Sequence, residues 1–259
     1  MSLVELEIKN HIGTITMNDL RHRNCLSAAL IDGILHALDA CEKQHVRVVI
    51  LRAHDDADVW SAGHDIREIP TDKQDPVTWN EPYGKLLRVI RHCRLPVICE
   101  IGGTVWGGAC DLAVSSDLIV ASTNVTFAIT PAKLGLPYNT VGVAHFLHAL
   151  PLHIIKEMFL TARPITAQAA HRFGLINRLV ELEDLRAESI DLAEIVAANA
   201  PLCIRVLKTE MRMLADAFAL APDDYEHIQF LRRQTFRSQD FQEGLCAFHE
   251  KRSPDFQGK

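Results

Sequence analysis

At 259 residues, 48% hydrophobic and 23% charged, the chain has the composition of a globular protein with a sizeable core, in one domain or one domain with an appendage. A formal net charge of −6 excludes sequence-independent nucleic-acid binding, which needs a basic face. No apolar run reaches the roughly 20 residues of a membrane span, and residues 1–10 lack the apolar core of a secretion signal.

Val4–Ile8 and Ile12–Met17 alternate about His11 and Gly13 and predict a β-hairpin. Ser27 is placed to cap a helix through Cys41, with Leu30, Ile31, Ile34, Leu35 and Leu38 on one face. Val46–Ala53 follows as a strand, and strand–helix–strand at this spacing predicts a parallel sheet covered by helices. The polar residues His54–Asp58 lead into Val59-Trp60-Ser61-Ala62-Gly63-His64-Asp65, a glycine turn, and then a short helical pattern on Ile66 and Ile69. Pro70–Pro82 is polar and proline-bearing, and is expected to be mobile and to border a site or to form a plain surface loop. Leu86, Leu87, Val89 and Ile90 mark a helix.

Leu95–Ile101 is a β-branched run that predicts a buried strand. Gly107-Gly108 then sits where strand turns into a helix running through Ser116. Asp117–Ala121 and Thr126–Ile129 are further strands, Thr166 caps a helix ended by Gly174, and Ile176–Val180 is a strand. From Leu182 onward the pattern is helical, punctuated by Pro201 and Pro222. Met211, Leu214, Phe218, Phe230, Leu231, Leu245 and Phe248 exceed what a lone surface tail exposes, so this end either folds back on its own core or packs against another surface.

The seven cysteines form no C-x-x-C pair, which indicates neither a zinc site nor a disulfide framework. They read as mostly buried, reduced thiols of a cytoplasmic protein. His145 and His148 lie three apart on a helix with no carboxylate or cysteine beside them in sequence, so a surface or core role is expected and no metal site.

The two glycine turns carry the chemistry. Glycine lets the backbone approach a ligand closely, and the first amides of a helix lack carbonyl partners and sit in its positive field. Two such turns supply the two donors of an oxyanion hole.

Ser61-Ala62-Gly63-His64-Asp65-Ile66 and Trp106-Gly107-Gly108-Ala109-Cys110-Asp111 resemble the crotonase (enoyl-CoA hydratase/isomerase) superfamily. Trp60–Ile66, Val105–Ala109, Ser115–Ile119 and Thr130-Pro131 through Leu136-Pro137-Tyr138-Asn139 are similar to its branch that decarboxylates methylmalonyl-CoA. The resemblance covers nearly the whole chain. It implies an α/β crotonase-type ββα spiral core over residues 1–200 and a helical trimerisation region over 201–259, hence homo-trimers or pairs of trimers.

The resemblance also implies that the backbone amides of His64 and Gly108 hold a thioester oxygen. The His64 imidazole stays open between holding a substrate carboxylate, supplying a proton and filling space. CoA is expected along Arg23, Cys25 and Leu26 and along Ala62, Gly63, His64, Asp65 and Ile66, with Lys251 reaching its phosphates, often from a neighbouring subunit.

Hydratases of the superfamily use two glutamates. The first corresponds to Asp111, one methylene shorter, and the second to Pro131, which transfers no proton, so hydration is not expected. Loss of CO2 from a malonyl thioester needs only a stabilised thioester oxygen and a carboxylate held out of the carbonyl plane. By resemblance Thr130 and Tyr138 orient that carboxylate, while Pro131, Leu136 and Ile66 could line an apolar pocket.

The expected reaction is methylmalonyl-CoA to propionyl-CoA. No metal or other cofactor is expected, because the thioester is its own electron sink. The proton donor to the enolate is unassigned, with Asp111 a candidate. An isomerase- or hydratase-like enzyme using Asp111 and a non-catalytic acyl-CoA-binding protein stay open as alternatives. So does the acyl group, since methylmalonyl, ethylmalonyl and malonyl thioesters differ by methylenes worth about 1–3 kcal/mol each.

Overall fold

The computed structural model describes residues 2–68, 80–217 and 221–258. Strands β1 (Val4–Lys9) and β2 (Ile12–Met17) form the expected hairpin, turned by Asn10 and His11 at φ of 50° and 63°. Helix α1 (Ala28–Lys43) starts at Ser27, whose hydroxyl accepts the Leu30 N–H at 3.3 Å.

Three units then repeat strand, strand, helix. They are β3 (Val48–Ala53), β4 (Val59–Ser61) and α2 (Pro82–His92); β5 (Val97–Ile101), β6 (Thr104–Trp106) and α3 (Gly108–Ser115); and β7 (Leu118–Ser122), β8 (Thr126–Ala128) and α4 (Thr140–Ala149). Helix α5 (Leu152–Thr161), strand β9 (Ile165–Thr166), helix α6 (Ala167–Arg172), strand β10 (Arg178–Val180) and helix α7 (Leu185–Ala198) follow.

The first strand of each unit enters a six-stranded sheet of order β1-β2-β3-β5-β7-β10, parallel from β2 onward. The second enters a smaller sheet of order β4-β6-β8-β9. This is the ββα spiral that the glycine motifs imply. Two mainly parallel sheets, with β1 and β9 as antiparallel edges, need helices on their faces: α1 buries Leu30, Ile31, Ile34 and Leu38, and α7 covers β3, β5 and β7.

The strand predicted over Leu95–Ile101 forms as β5 and ends at Ile101, and the structure adds a strand the sequence did not announce, β6, between it and the Gly107-Gly108 turn. Three residues are too few to display an alternation, so β6 is invisible to periodicity.

Helices α8 (Pro201–Ala215), α9 (Pro222–Phe236) and α10 (Gln239–Glu250) complete the chain, α8 and α9 each beginning on a proline. Proline suits a first helical turn, where its missing N–H has no partner to lose. These helices fold back on the chain's own core. Lys208 of α8 donates to the Asp117 carboxylate at 2.7 Å and to the Leu95 carbonyl at 2.9 Å. Phe236, Phe241 and Leu245 form a buried cluster against which Ile66 and Leu136 pack.

Leu245 is therefore interior, whereas Met211 (64% exposed), Leu214 (77%) and Phe230 (50%) face outward. Phe218 and residues 70–79 of the Pro70–Pro82 segment lie outside the described residues; Pro82 opens α2.

Candidate active site

Strands β4 and β6 are parallel neighbours, so the turns that leave their C-terminal ends come side by side. Gly63 takes φ +84° and Gly107 φ +54° with ψ −121°, backbone conformations that a Cβ disfavours. A Cβ on Gly63 would also collide with the Trp106 carbonyl and come within 2.9 Å of the Gly108 nitrogen.

On its other side the first turn is tied to the segment after Arg23. Leu26 N–H donates to the Gly63 carbonyl at 2.8 Å, Ala62 N–H donates to the Arg23 carbonyl at 2.9 Å, and Leu26 bridges His64 in parallel. The C=O and N–H of one trans peptide point in opposite directions, so the bond from Leu26 to the Gly63 carbonyl turns the His64 N–H away from Leu26. Neither the His64 nor the Gly108 amide has an acceptor among the described residues.

Around this pair the acids and phenols are buried. Asp111, on α3, is fully buried, with Oδ1 2.7 Å from His145 Nδ1 of α4 and 3.4 Å from Ser115 Oγ. Ser115 Oγ approaches the same ring nitrogen, at 3.3 Å. A hydrolytic triad needs acid and hydroxyl on opposite ring nitrogens, so this cluster is not one. Tyr83 of α2 donates to the Gly108 carbonyl at 3.0 Å and lies 3.4 Å from Asp111 Oδ2, its ring edge-on to His64 at 5.4 Å.

Tyr138 lies against Phe146 and Phe159 in edge-to-face contacts, and its phenolic oxygen is buried without a close hydrogen bond among the described residues. Burial first, then the charge of Asp111, pushes the Tyr83 phenol well above its ordinary range. Burial, then Tyr83 and Asp111, does the same to Tyr138. The His64 imidazole is pushed down by burial, against the opposing pull of Glu68.

A matched family model, Enoyl-CoA hydratase/isomerase, spans residues 7–259. The chain belongs to the enoyl-CoA hydratase/isomerase family. It is 41% identical to methylmalonyl-CoA decarboxylase of Escherichia coli (strain K12), over 96% of this chain and 95% of that one. It is 31% identical to the mitochondrial enoyl-CoA hydratase domain-containing protein 3 of Mus musculus, over 94% of this chain and 80% of the relative. Among solved structures, methylmalonyl-CoA decarboxylase in complex with 2-nitronate-propionyl-CoA superposes with a TM-score of 0.97 at 40% identity, covering 99% of each chain.

The residues singled out from the sequence do not all fall in one place. Ala62, Gly63, His64 and Gly108 come together at the strand ends, with Thr130 alongside, its Oγ1 3.7 Å from where a Gly107 Cβ would stand. Asp111 and Tyr138 lie just behind, both against Gly142.

Asp65, Cys25 and Arg23 belong to the supporting turn. The Arg67 guanidinium holds the Asp65 carboxyl down to about 2, and Cys25 Sγ lies 3.5 Å from Asp65 Oδ2. The Asp65 carboxylate is therefore engaged by protein groups and turned inward. Ile66 and Leu136 pack on the α9–α10 cluster, and Pro131 opens a 3-10 turn, Pro131–Leu134. Lys251 caps α10 at φ +55°, exposed, and its ammonium makes no ion pair among the described residues.

Two neighbours of Asp111 were not foreseen in these roles. His145 takes a core position, one of the two roles expected of it, and has a carboxylate partner that its sequence surroundings do not show, because Asp111 arrives from another helix. Tyr83 gave no local signal. Ser115 was within reach, since it lies four residues after Asp111 on one helix face. Among the described residues no group of three or more His, Cys, Asp or Glu side chains is placed to hold a metal.

Proposed function

We propose that this family member decarboxylates methylmalonyl-CoA to propionyl-CoA. The observation that carries the proposal is a pair of backbone amides, at His64 and Gly108, without an acceptor among the described residues. Position 131, where the superfamily's hydratases carry a proton-transferring glutamate, is proline, and Asp111 is tied to His145 at 2.7 Å. The name of the Escherichia coli relative and the propionyl-CoA analogue in the matching solved structure support the same choice of substrate.

In this mechanism the thioester oxygen docks between the two amides. The electron pair of the bond to the carboxylate carbon moves into the thioester as CO2 leaves, giving an enolate whose oxygen carries the new charge. Donors fixed before the charge develops favour that state, and losing one typically costs about 3–4 kcal/mol of barrier. A proton added at the α-carbon gives propionyl-CoA. The thioester takes up the electrons, so the chemistry requires no metal or other cofactor. Tyr138 Oη, buried beside the Tyr83 hydroxyl and not held by a close hydrogen bond among the described residues, is the group we assign to hold the carboxylate out of plane, with Thr130 beside it. The neutral His64 imidazole lines the site.

CoA runs along Arg23, Cys25 and Leu26, with Lys251 on its phosphates, in the same proposal. The outward Met211, Leu214 and Phe230 support contact between copies of the chain in a trimer or pair of trimers, and five buried free thiols support a cytoplasmic location.

The test offers methylmalonyl-CoA and crotonyl-CoA in parallel and follows products by chromatography. CO2 and propionyl-CoA in equal amounts, with crotonyl-CoA untouched, is the expected result. Hydration or double-bond migration without CO2 release would overturn the proposal.

A further inference from the structure

Tyr83 touches both residues that carry the amide pair. Its ring stands edge-on to the His64 imidazole, 5.4 Å between centroids. The same ring closes the space over Gly108: a Cβ there would meet Tyr83 Cε2, Cζ and Oη at 3.0 Å each. Its hydroxyl donates to the Gly108 carbonyl at 3.0 Å. The side chain is 2% exposed, so it has no freedom to yield.

His64 and Gly108 sit on different ββα units, whose strands join there through the short β4–β6 pairing, with a register that shifts between Val59 and Ser61, and through the close packing of Gly63 on Trp106 and Gly108. A two-residue contact with an irregular register is a weak ruler. Tyr83 arrives from a third direction, in the first turn of α2, and braces both turns.

We infer that Tyr83 is a positioning residue that sets the separation and aim of the two oxyanion donors. This rests on the donor roles proposed for the His64 and Gly108 amides, and is independent of which group leaves the α-carbon. An oxyanion hole works only with donors placed for the developing charge, and a misplacement near 1 Å costs on the order of 100-fold in rate. Tyr83→Phe keeps the ring and loses the tether to the Gly108 carbonyl. Tyr83→Leu loses the brace on both turns.

The test reads the donors directly, through the infrared carbonyl stretch of bound propionyl-CoA carrying carbon-13 at the thioester carbon. Wild-type protein is expected to shift that band to lower frequency, Tyr83→Phe to keep part of the shift, and Tyr83→Leu to lose most of it. Turnover of methylmalonyl-CoA should fall roughly tenfold and 100-fold in kcat respectively, with KM within about twofold.

A full shift and unchanged kcat in Tyr83→Phe and Tyr83→Leu would overturn the inference. So would a lowered melting temperature with the band shift intact, which marks a merely structural role. If Tyr83→Leu does not fold, Tyr83→Phe decides alone. No band shift in wild type would remove the donor roles and this inference together. A band shift without CO2 release would remove only the decarboxylase proposal.

Discussion

Gly63 and Gly108 approach so closely that a Cβ on the first would lie 2.9 Å from the amide nitrogen of the second. Gly63→Ala therefore forces the two turns apart and strains a backbone at φ +84°. We expect kcat for decarboxylation to fall by about 100- to 1,000-fold, the scale of losing one oxyanion donor. Steady-state kinetics check this, with circular dichroism confirming the fold; an alanine variant at wild-type kcat would contradict the paired-donor site.

Tyr138→Phe separates function from stability. The ring keeps its contacts with Phe146 and Phe159, while a buried hydroxyl without a close hydrogen bond among the described residues is removed, along with the cost of keeping it from water. The melting temperature should stay level or rise by a degree or two, and kcat should drop about tenfold or more, on the scale of a positioned polar contact. A parallel fall in both would show the phenol to be structural.

Asp111 and His145 predict opposite outcomes for two substitutions. Asp111→Asn keeps an acceptor for His145 Nδ1 at nearly the same place, so CO2 release should survive within about tenfold, whereas an isomerase that moves protons through Asp111 would lose turnover. His145→Leu leaves a fully buried carboxylate without its 2.7 Å partner. That should cost about 1–3 kcal/mol, read as a fall of several degrees in melting temperature.

The pH dependence follows from His64 and the two phenols. Burial sets the folded imidazole below the ordinary value of 6.5, so on acidification the unfolded chain takes its proton first. The contribution to stability is constant above 6.5 and declines as pH falls below it. Tyr83 and Tyr138, pushed above 10.0, stay protonated through pH 9. We expect kcat to be flat from pH 7 to 9 with no gain on approaching pH 6.5. A rate that climbs as pH falls toward 6.5 would mean that the imidazolium is the working form.

Much of this site could be read from the chain because it is made of backbone. Gly63 and Gly107 mark turns that only glycine takes easily, and Ser27 and Thr166 announce helix starts through their own hydroxyls. Partners that meet through tertiary packing left no such mark. Tyr83 reaches Gly108 across 25 residues and His145 reaches Asp111 across 34, distances over which no local spacing rule operates. Strand β6 escaped because three residues hold less than two full alternations.

The β4–β6 pairing has an evolutionary consequence. A donor made of main-chain N–H survives almost any side-chain replacement, whereas on the reading proposed above the choice of reaction rests on single side chains on other segments, aspartate at 111 and proline at 131 in this chain. A replacement at either of these would leave the two amides in place. One inherited frame can therefore be retuned from adding water to expelling carbon dioxide in a few substitutions, and proteins named hydratase and decarboxylase share this chain's architecture.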